Sequence, residues 1–373
     1  MIEPCPHLAD CPGCPHYGLV APSQQTSGHL ERIAGFGGLP APEVRSGRAS
    51  AYRQRGRLAI RGSAAEPQIG VFRRGSHDVV DIPDCRVHHP LINHAAEVLR
   101  EAIRTTRTEP YNDGPHTGAL RYVQIAVERS SQSVQVVLVE NSREPKGLKA
   151  LGGELRDRLG SDLHSLWWNG QPEQSNAILG PFWEHWGGPP SIREEIAGTV
   201  VFFPPDAFGQ SHLELAEEIA RRVREQIPLG SRVAEFYAGA GALGLGVLKD
   251  GNEVLFNEVA PGGLRGLELG LAELDADARS RAQVFPGSAG EHADLVQRCD
   301  VVLVDPPRKG LDAPLLEALI AAPPRRLIYV SCGIQALERE LAELARVLPL
   351  RRVEAFDLFP FTDHLEILAV LGH

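Results

Sequence analysis

Two rhythms of apolar residues divide this chain. Up to about residue 203 they alternate with polar ones in short runs: YRQRGRLAI, PQIGVFRRG and HDVVDI between 51 and 82, LRYVQIAVE and SVQVVLVE between 120 and 140, then LHSLWWNG, NAILGPFWEHWG and GTVVFFP. Period-two alternation broken by turn residues predicts antiparallel strands. Helices are expected at 23–38, which stops at glycines, and at 91–107 and 146–159. From Pro204 onward a loop leads into an amphipathic helix over 211–227. Strand-like runs then alternate with helical segments: VAEF, NEVLFNEV, AQVF, DVVLV and RRLIYV. That alternation predicts a mostly parallel, doubly wound sheet. RRVEAFDLFP and LEILAVLGH close the chain as an expected hairpin at the sheet edge. The fold class is therefore α/β, in two domains: 1–203, α+β with an antiparallel sheet, and 204–373, Rossmann-like. The helix at 23–38 is expected to pack on the second domain.

The strand ends of the second domain carry the candidate chemistry. Leu327 to Val330 read as a buried strand that turns at Ser331-Cys332-Gly333 into a helix. A thiol there sits near a helix N-terminus, whose dipole favours the thiolate, so a lowered pKa is expected. Open α/β sheets place ligands at such strand ends. A half-buried structural cysteine is the other reading of Cys332. In VVLVDPPRKG, Asp305 leaves its strand beside two prolines that stiffen the turn. In FPFTDHLEILAV, Glu366 is an isolated acid before an apolar run. Burial would raise its pKa towards that of a general base, whereas an edge-strand position would leave it an exposed acid.

Residues 239–244 spell GAGALG between a strand and a helix, and fit G-x-G-x-x-G. A dinucleotide site is one reading. Glu258, at the end of the next strand, would hold ribose hydroxyls in either cofactor class. Glu235, four residues before Gly239, favours the alternative, since methyltransferase folds end their first strand in an acid. That comparison is an analogy between folds.

Composition narrows the partners. The chain is 43% hydrophobic and 23% charged, as soluble globular proteins are. No apolar run reaches membrane-span length and no signal peptide opens it, so a cytoplasmic protein is expected. Its net charge of -10 argues against a nucleic-acid partner. The distribution reverses that, because Arg45 to Arg74 holds eight arginines and one acid, Glu66. Such a strip suits phosphates, or forms a solvated strand face. Of six cysteines, Cys5, Cys11 and Cys14 form C-x5-C-x2-C, and Cys85 can add a fourth sulfur. Four thiolates suit a zinc ion or an iron–sulfur cluster, and His7, His16, His88 and His89 keep a mixed-ligand zinc open.

Together, CPHLADCPGC with Cys85, YRQRGRLAI, IGVFRRGSHDVVDIPDC, DAFGQ, EFYAGAG, NEV, VDPPRKGL, YVSCG and FPFTDHLE resemble the RNA uracil-5 methyltransferase family, in the family's order and over nearly the whole chain. The cysteine spacing resembles the branch with a 4Fe-4S cluster, many of whose members act on 23S ribosomal RNA. The resemblance implies a class I S-adenosylmethionine-dependent methyltransferase domain at 204–373 and a cluster-binding, RNA-contacting domain at 1–203. It implies Cys332 as nucleophile and Glu366 as base. Gln210, Tyr237, Glu258 and Asp305 would line the S-adenosylmethionine site, and Cys5, Cys11, Cys14 and Cys85 would hold the cluster. The expected product is 5-methyluridine in RNA, with 23S rRNA ahead of tRNA, made by a monomer lacking the RNA-binding barrel of some relatives. Four positions depart from the family pattern: Gly333 for Asn, Glu235 for Asp, Ala238 for Cys and His212 for Asn. The rivals are an RNA cytosine-5 methyltransferase, a dinucleotide-dependent iron–sulfur oxidoreductase, and an RNA-binding module without activity.

Overall fold

The computed structural model describes residues 3–19 and 21–372. Met1, Ile2, Val20 and His373, at the ends of the expected first loop and last strand, lie outside the described residues. The chain forms two compact units, Met1–Gly18 with Arg48–Glu194, and Leu19–Gly47 with Glu195–His373.

The first unit is a seven-stranded sheet. In spatial order its strands are Val79–Asp81, Pro67–Phe72, Arg55–Gly62, Leu120–Glu128, Ser133–Glu140, Leu163–Gly170 and Phe182–Gly187. All neighbours are antiparallel except Ser133–Glu140 and Leu163–Gly170, which are parallel around the helix Lys149–Leu159. That exception is physical, since a parallel pair needs a crossover and the intervening helix supplies it. The helix Pro90–Thr106 begins with Pro90 at a position that needs no N–H and is capped by His89, whose side chain accepts from Leu91 N. It ends where Arg107 turns left-handed, at φ 53°. Its stripe of Ile92, Leu99 and Ile103 is buried with Leu151 and Leu155 of the second helix against Leu58, Ile60, Ile125 and Leu138 of the sheet. Each such aliphatic side chain contributes about 1.5–3 kcal/mol on burial. NAILG, expected to open a strand, is not one; the strand begins at Phe182.

A hairpin, Ile192–Ile196 and Thr199–Phe203, lies where the chain passes into the second unit. There an eight-stranded sheet runs Val44–Ser46, Leu350–Asp357, Glu366–Gly372, Arg326–Ser331, Val301–Val304, Arg232–Phe236, Glu253–Glu258 and Ala282–Pro286. The strands are parallel except Glu366–Gly372, which is antiparallel to both neighbours. The closing hairpin is not at the edge, because the three residues Val44–Ser46 pair with Ala355–Asp357 and form the edge themselves. The helix Gln24–Gly35 belongs to this unit, with Leu30 and Ile33 in its core and His29 and Arg32 bonded to Glu338. Val301–Val304 is buried throughout, as a central strand covered on both faces must be.

Candidate active site and cysteine pocket

Parallel strands end together, so Phe236, Glu258, Val304 and Ser331 bring their following turns to one edge of the sheet. The last strand runs the other way and starts there, with Glu366. Ser331 pairs with Ile367, which sets Cys332 beside Glu366 one position further on. Asp305 leaves the neighbouring strand, its N–H donating to Phe236 O at 3.4 Å.

The three side chains act on one another. Glu366 is 1% exposed, and neither carboxylate oxygen has a hydrogen-bond partner among the described residues. Burial pushes its pKa well above the carboxylate range; the Asp305 charge adds to this and Arg308 opposes it. Burial also pushes Asp305 up to about 7. The half-buried Cys332 thiol is pushed up to about 11 by burial, then by Glu366 and Asp305, against the pull of Arg308. This corrects the expected lowered thiol. A helix start is worth about 0.3–1 kcal/mol, and desolvation with two carboxylates outweighs it. Arg308 is the functional candidate that the sequence reading missed, although it stands in VDPPRKG as the cation three residues after Asp305. His364 stands at the surface, with its pKa lowered by partial desolvation and then by Arg308.

The glycine loop borders this edge. Tyr237, Gly239 and Gly241 have φ of 60°, 56° and 82°. The bent loop points the Gly239 N–H at Glu258, which accepts from it at 2.6 Å and from the following Val259 N and Ala260 N at 2.7 and 2.5 Å. A carboxylate has about four acceptor positions, so one stays available. Glu235 is buried and pushed up to about 8, chiefly by burial. Its Oε1 accepts from Gly244 N at 3.2 Å, while Oε2 has no partner among the described residues. The Tyr237 hydroxyl accepts from Asp312 N at 2.9 Å, and burial pushes its pKa up to about 12. Glu340 accepts from Leu311 N at 3.3 Å and from the Tyr329 hydroxyl at 2.7 Å. Both ends of the 305–312 segment are thus pinned. Gln210 lies half-buried on the loop before Leu213–Glu225, with no hydrogen bond to these residues among those described.

In the first unit Cys5, Cys11, Cys14 and Cys85 line one small cavity with His7, Tyr17 and Val87. Cys11 N donates to His7 O at 2.8 Å, and Asn93 Nδ2 to Cys85 O at 3.1 Å. Cys14 is pushed up to about 12 by burial and then by Cys85 and Cys11. Burial also raises Cys11 and Cys85. Among the described residues no group of three His, Cys, Asp or Glu is arranged to hold a metal ion. His88 is buried and pushed down to about 4, with Nδ1 bonded to Asn93.

The family model for tRNA (uracil-5-)-methyltransferase matches residues 290–372, from before Asp305 through Glu366. An uncharacterised RNA methyltransferase of Protochlamydia amoebophila is 34% identical over 98% of this chain and 96% of its own length. This chain belongs to the RNA uracil-5 methyltransferase family. Another relative, an uncharacterised RNA methyltransferase of Geobacter sulfurreducens, is 30% identical over 98% of this chain and 76% of its own length. Among solved structures, the Pyrococcus abyssi tRNA (uracil-54, C5)-methyltransferase in complex with S-adenosyl-L-homocysteine superimposes with a TM-score of 0.77 at 25% identity, covering 93% of this chain and 83% of that one. The α/β methyltransferase fold is thereby shown, and the dinucleotide-dependent oxidoreductase is set aside.

As a uracil-5 methyltransferase the chain departs from its family's pattern at Gly333, and packing supplies the reason. A Cβ at Gly333 would stand 2.5 Å from Arg308 O. The cysteine turn lies against the backbone of the Asp-Pro-Pro turn and admits no side chain. His212 is buried, its ring close enough that a Cβ on Gly47 would come within 2.7 Å. A Cβ at Gly244 would meet Glu235 Oε2 at 1.8 Å, so the longer acid and the glycine go together.

Proposed function

We propose that this RNA methyltransferase methylates carbon 5 of a uridine through a covalent cysteine–pyrimidine adduct. The observation that carries the reading is the bare, buried Glu366 carboxylate on the strand beside Cys332. S-adenosylmethionine supplies an electrophilic methyl group. Tyr237, Glu258, Asp305 and Gln210 would hold it, and the spare acceptor on Glu258 suits a ligand with donors.

Carbon 5 of uracil is a weak nucleophile. Addition of the Cys332 thiolate to carbon 6 forms a C–S bond and moves the ring double-bond electrons into an enolate, which takes the methyl at carbon 5. Arg308 offsets the charge that makes this thiolate costly. Gln210 and the turn around Asp305 are the donors for the enolate oxygen. Glu366 then accepts the proton from carbon 5, the ring double bond re-forms, and the sulfur leaves. A carboxylate with a raised pKa suits that proton transfer. The target base must leave its stack to enter the site, so a loop or an opened hairpin is the substrate.

Cys5, Cys11, Cys14 and Cys85 would hold a 4Fe-4S cluster. Lone zinc draws its four sulfurs to roughly 3.8 Å of one another at Zn–S bonds near 2.3 Å, whereas a cluster needs a wider cage. That the four cysteines line one cavity supports the cluster. Methyl transfer is redox-neutral, so its role is to tie the 3–19 loop to Cys85.

We place the substrate uridine in 23S rRNA. A tRNA uridine is the second reading, favoured by the name of the matching family model and by the substrate of the Pyrococcus abyssi enzyme. The test is twofold. Cys332→Ala should abolish both methylation and a denaturation-resistant RNA adduct; an adduct that survives would end the covalent mechanism. Mapping 5-methyluridine in total RNA from a strain lacking the protein should show one uridine unmodified in 23S rRNA, and a loss confined to tRNA would move the substrate there.

A further inference from the structure

Glu340 is a buried acid with no part in the chemistry above. It lies on the helix Ile334–Leu344 that follows Cys332, and is 2% exposed. Its hydrogen bonds run to both sides of the thiol's turn. Oε2 accepts from the Tyr329 hydroxyl at 2.7 Å, on the strand that leads into Cys332. Both oxygens accept from Leu311 N, each at 3.3 Å, just beyond the Asp-Pro-Pro turn. Oε1 also accepts from Arg339 Nη2 at 3.0 Å.

The same helix meets residues 308–311 at every step. Arg308 O leaves no room for a Cβ at Gly333, which caps the start of the helix. Lys309 O accepts from Arg339 Nη2 at 3.2 Å. Gly310 has φ 92°, and a Cβ there would collide with Glu340 Oε1 and crowd Ala336. Leu311 N is the donor to Glu340. The cysteine's helix and the turn that bears Arg308 are thus joined into one body, with Glu340 as the buried polar link.

Arg308 has no such anchor of its own. Its side chain is exposed and makes no hydrogen bond or ion pair among the described residues. A side chain without partners stands where its backbone puts it. Its charge nevertheless acts on Cys332, Glu366 and His364.

We propose that Glu340 is a positioning residue for the methyl transfer: through Leu311 and Gly310 it fixes the turn that sets the Arg308 guanidinium against the Cys332 sulfur. The role rests on the reading of Cys332 as nucleophile. A buried Leu311 N–H left without an acceptor is driven toward water, and the turn moves with it. The guanidinium then draws away, and the thiolate loses the cation that offsets Glu366 and Asp305.

The test reads the thiol directly. Alkylation of Cys332 in the full chain is followed by mass spectrometry of its peptide, at one fixed pH below its midpoint. Glu340→Ala should slow the reaction about 2- to 5-fold, the size of one screened charge contact. Glu340→Gln keeps an acceptor for Leu311 N and should restore the wild-type rate. In an Arg308→Gln background Glu340→Ala should slow nothing further, because the cation it positions is gone. A merely loosened site would expose the half-buried thiol and speed the reaction. A wild-type or faster rate in Glu340→Ala would overturn the proposal, as would equal losses in Glu340→Ala and Glu340→Gln or losses that multiply in the double variant. If Glu340→Ala does not fold, Tyr329→Phe removes only the bond to Oε2 and takes its place, with a slowing of the same sign expected and an unchanged rate overturning the role. The RNA adduct separates the two readings. If the wild type forms it while these rates fail, only the role of Glu340 falls. If the rates hold and no adduct forms, the covalent mechanism falls and the link from Glu340 to Arg308 stands.

Discussion

Cys332 and Cys14 are both raised far above an ordinary thiol by burial, to about 11 and about 12. Their company differs. Around Cys14 the neighbours that raise it further are sulfurs, Cys85, Cys11 and Cys5, opposed by Arg53. Around Cys332 they are carboxylates, Glu366 and Asp305, opposed by Arg308. A thiol among thiols has no carboxylate to take its proton, and a bound metal relieves the crowding of sulfurs. A thiol between acids and a cation is set up to make and break a bond. The same residue type at nearly the same pKa thus points to scaffold in one unit and to chemistry in the other.

That contrast can be broken most directly at the acid. Glu366→Gln should methylate once and stall, with turnover down about 10²–10⁴-fold and the methylated adduct accumulating on a denaturing gel; normal turnover would leave Cys332 without its base. Next in size is the pH response of the thiol. Alkylation of Cys332, followed by mass spectrometry of its peptide, should speed up about tenfold per unit from pH 7 to 10 and level off near 11, because the thiolate fraction grows in that proportion below its pKa. Arg308→Gln should push that midpoint higher. The structural side of the contrast is tested by colour: anaerobically purified protein should be brown, and Cys14→Ser colourless. Cys14→Ser should also lower the thermal midpoint by roughly 5 °C, the shift expected for a loss of about 2 kcal/mol. A colourless, zinc-loaded wild type would reject the cluster.

The smallest effect concerns Glu235. Its folded pKa of about 8 lies above the unfolded carboxylate value. Its contribution to stability is therefore full below the unfolded pKa and is lost as pH rises through about 8. Thermal midpoints measured from pH 4 to 9 should fall for this reason, and Glu235→Gln should flatten the decline by a few degrees.

Much of the active edge was legible because its signals are local. Four apolar residues before Asp305, an isolated acid before an apolar run at Glu366, and a cysteine in a strand-to-helix turn each announce themselves within a dozen positions. The edge strand Val44–Ser46 was not legible, since three residues cannot show a period and their place depends on a partner some three hundred positions away. The direction of the Cys332 shift was misread for a related reason. The helix start is visible in the sequence, whereas the carboxylates that outweigh it arrive from other strands.

By itself the sequence determined which segments become strands and helices and which side chains stand at their ends, because period, capping and turn chemistry act between near neighbours. Only the tertiary structure decided that Glu366 lies bare beside Cys332, that the Arg308 charge acts on both, and that Gly333 must remain a glycine against the Arg308 backbone. Charge, desolvation and close packing depend on distances through space, and the order of residues along the chain does not record them.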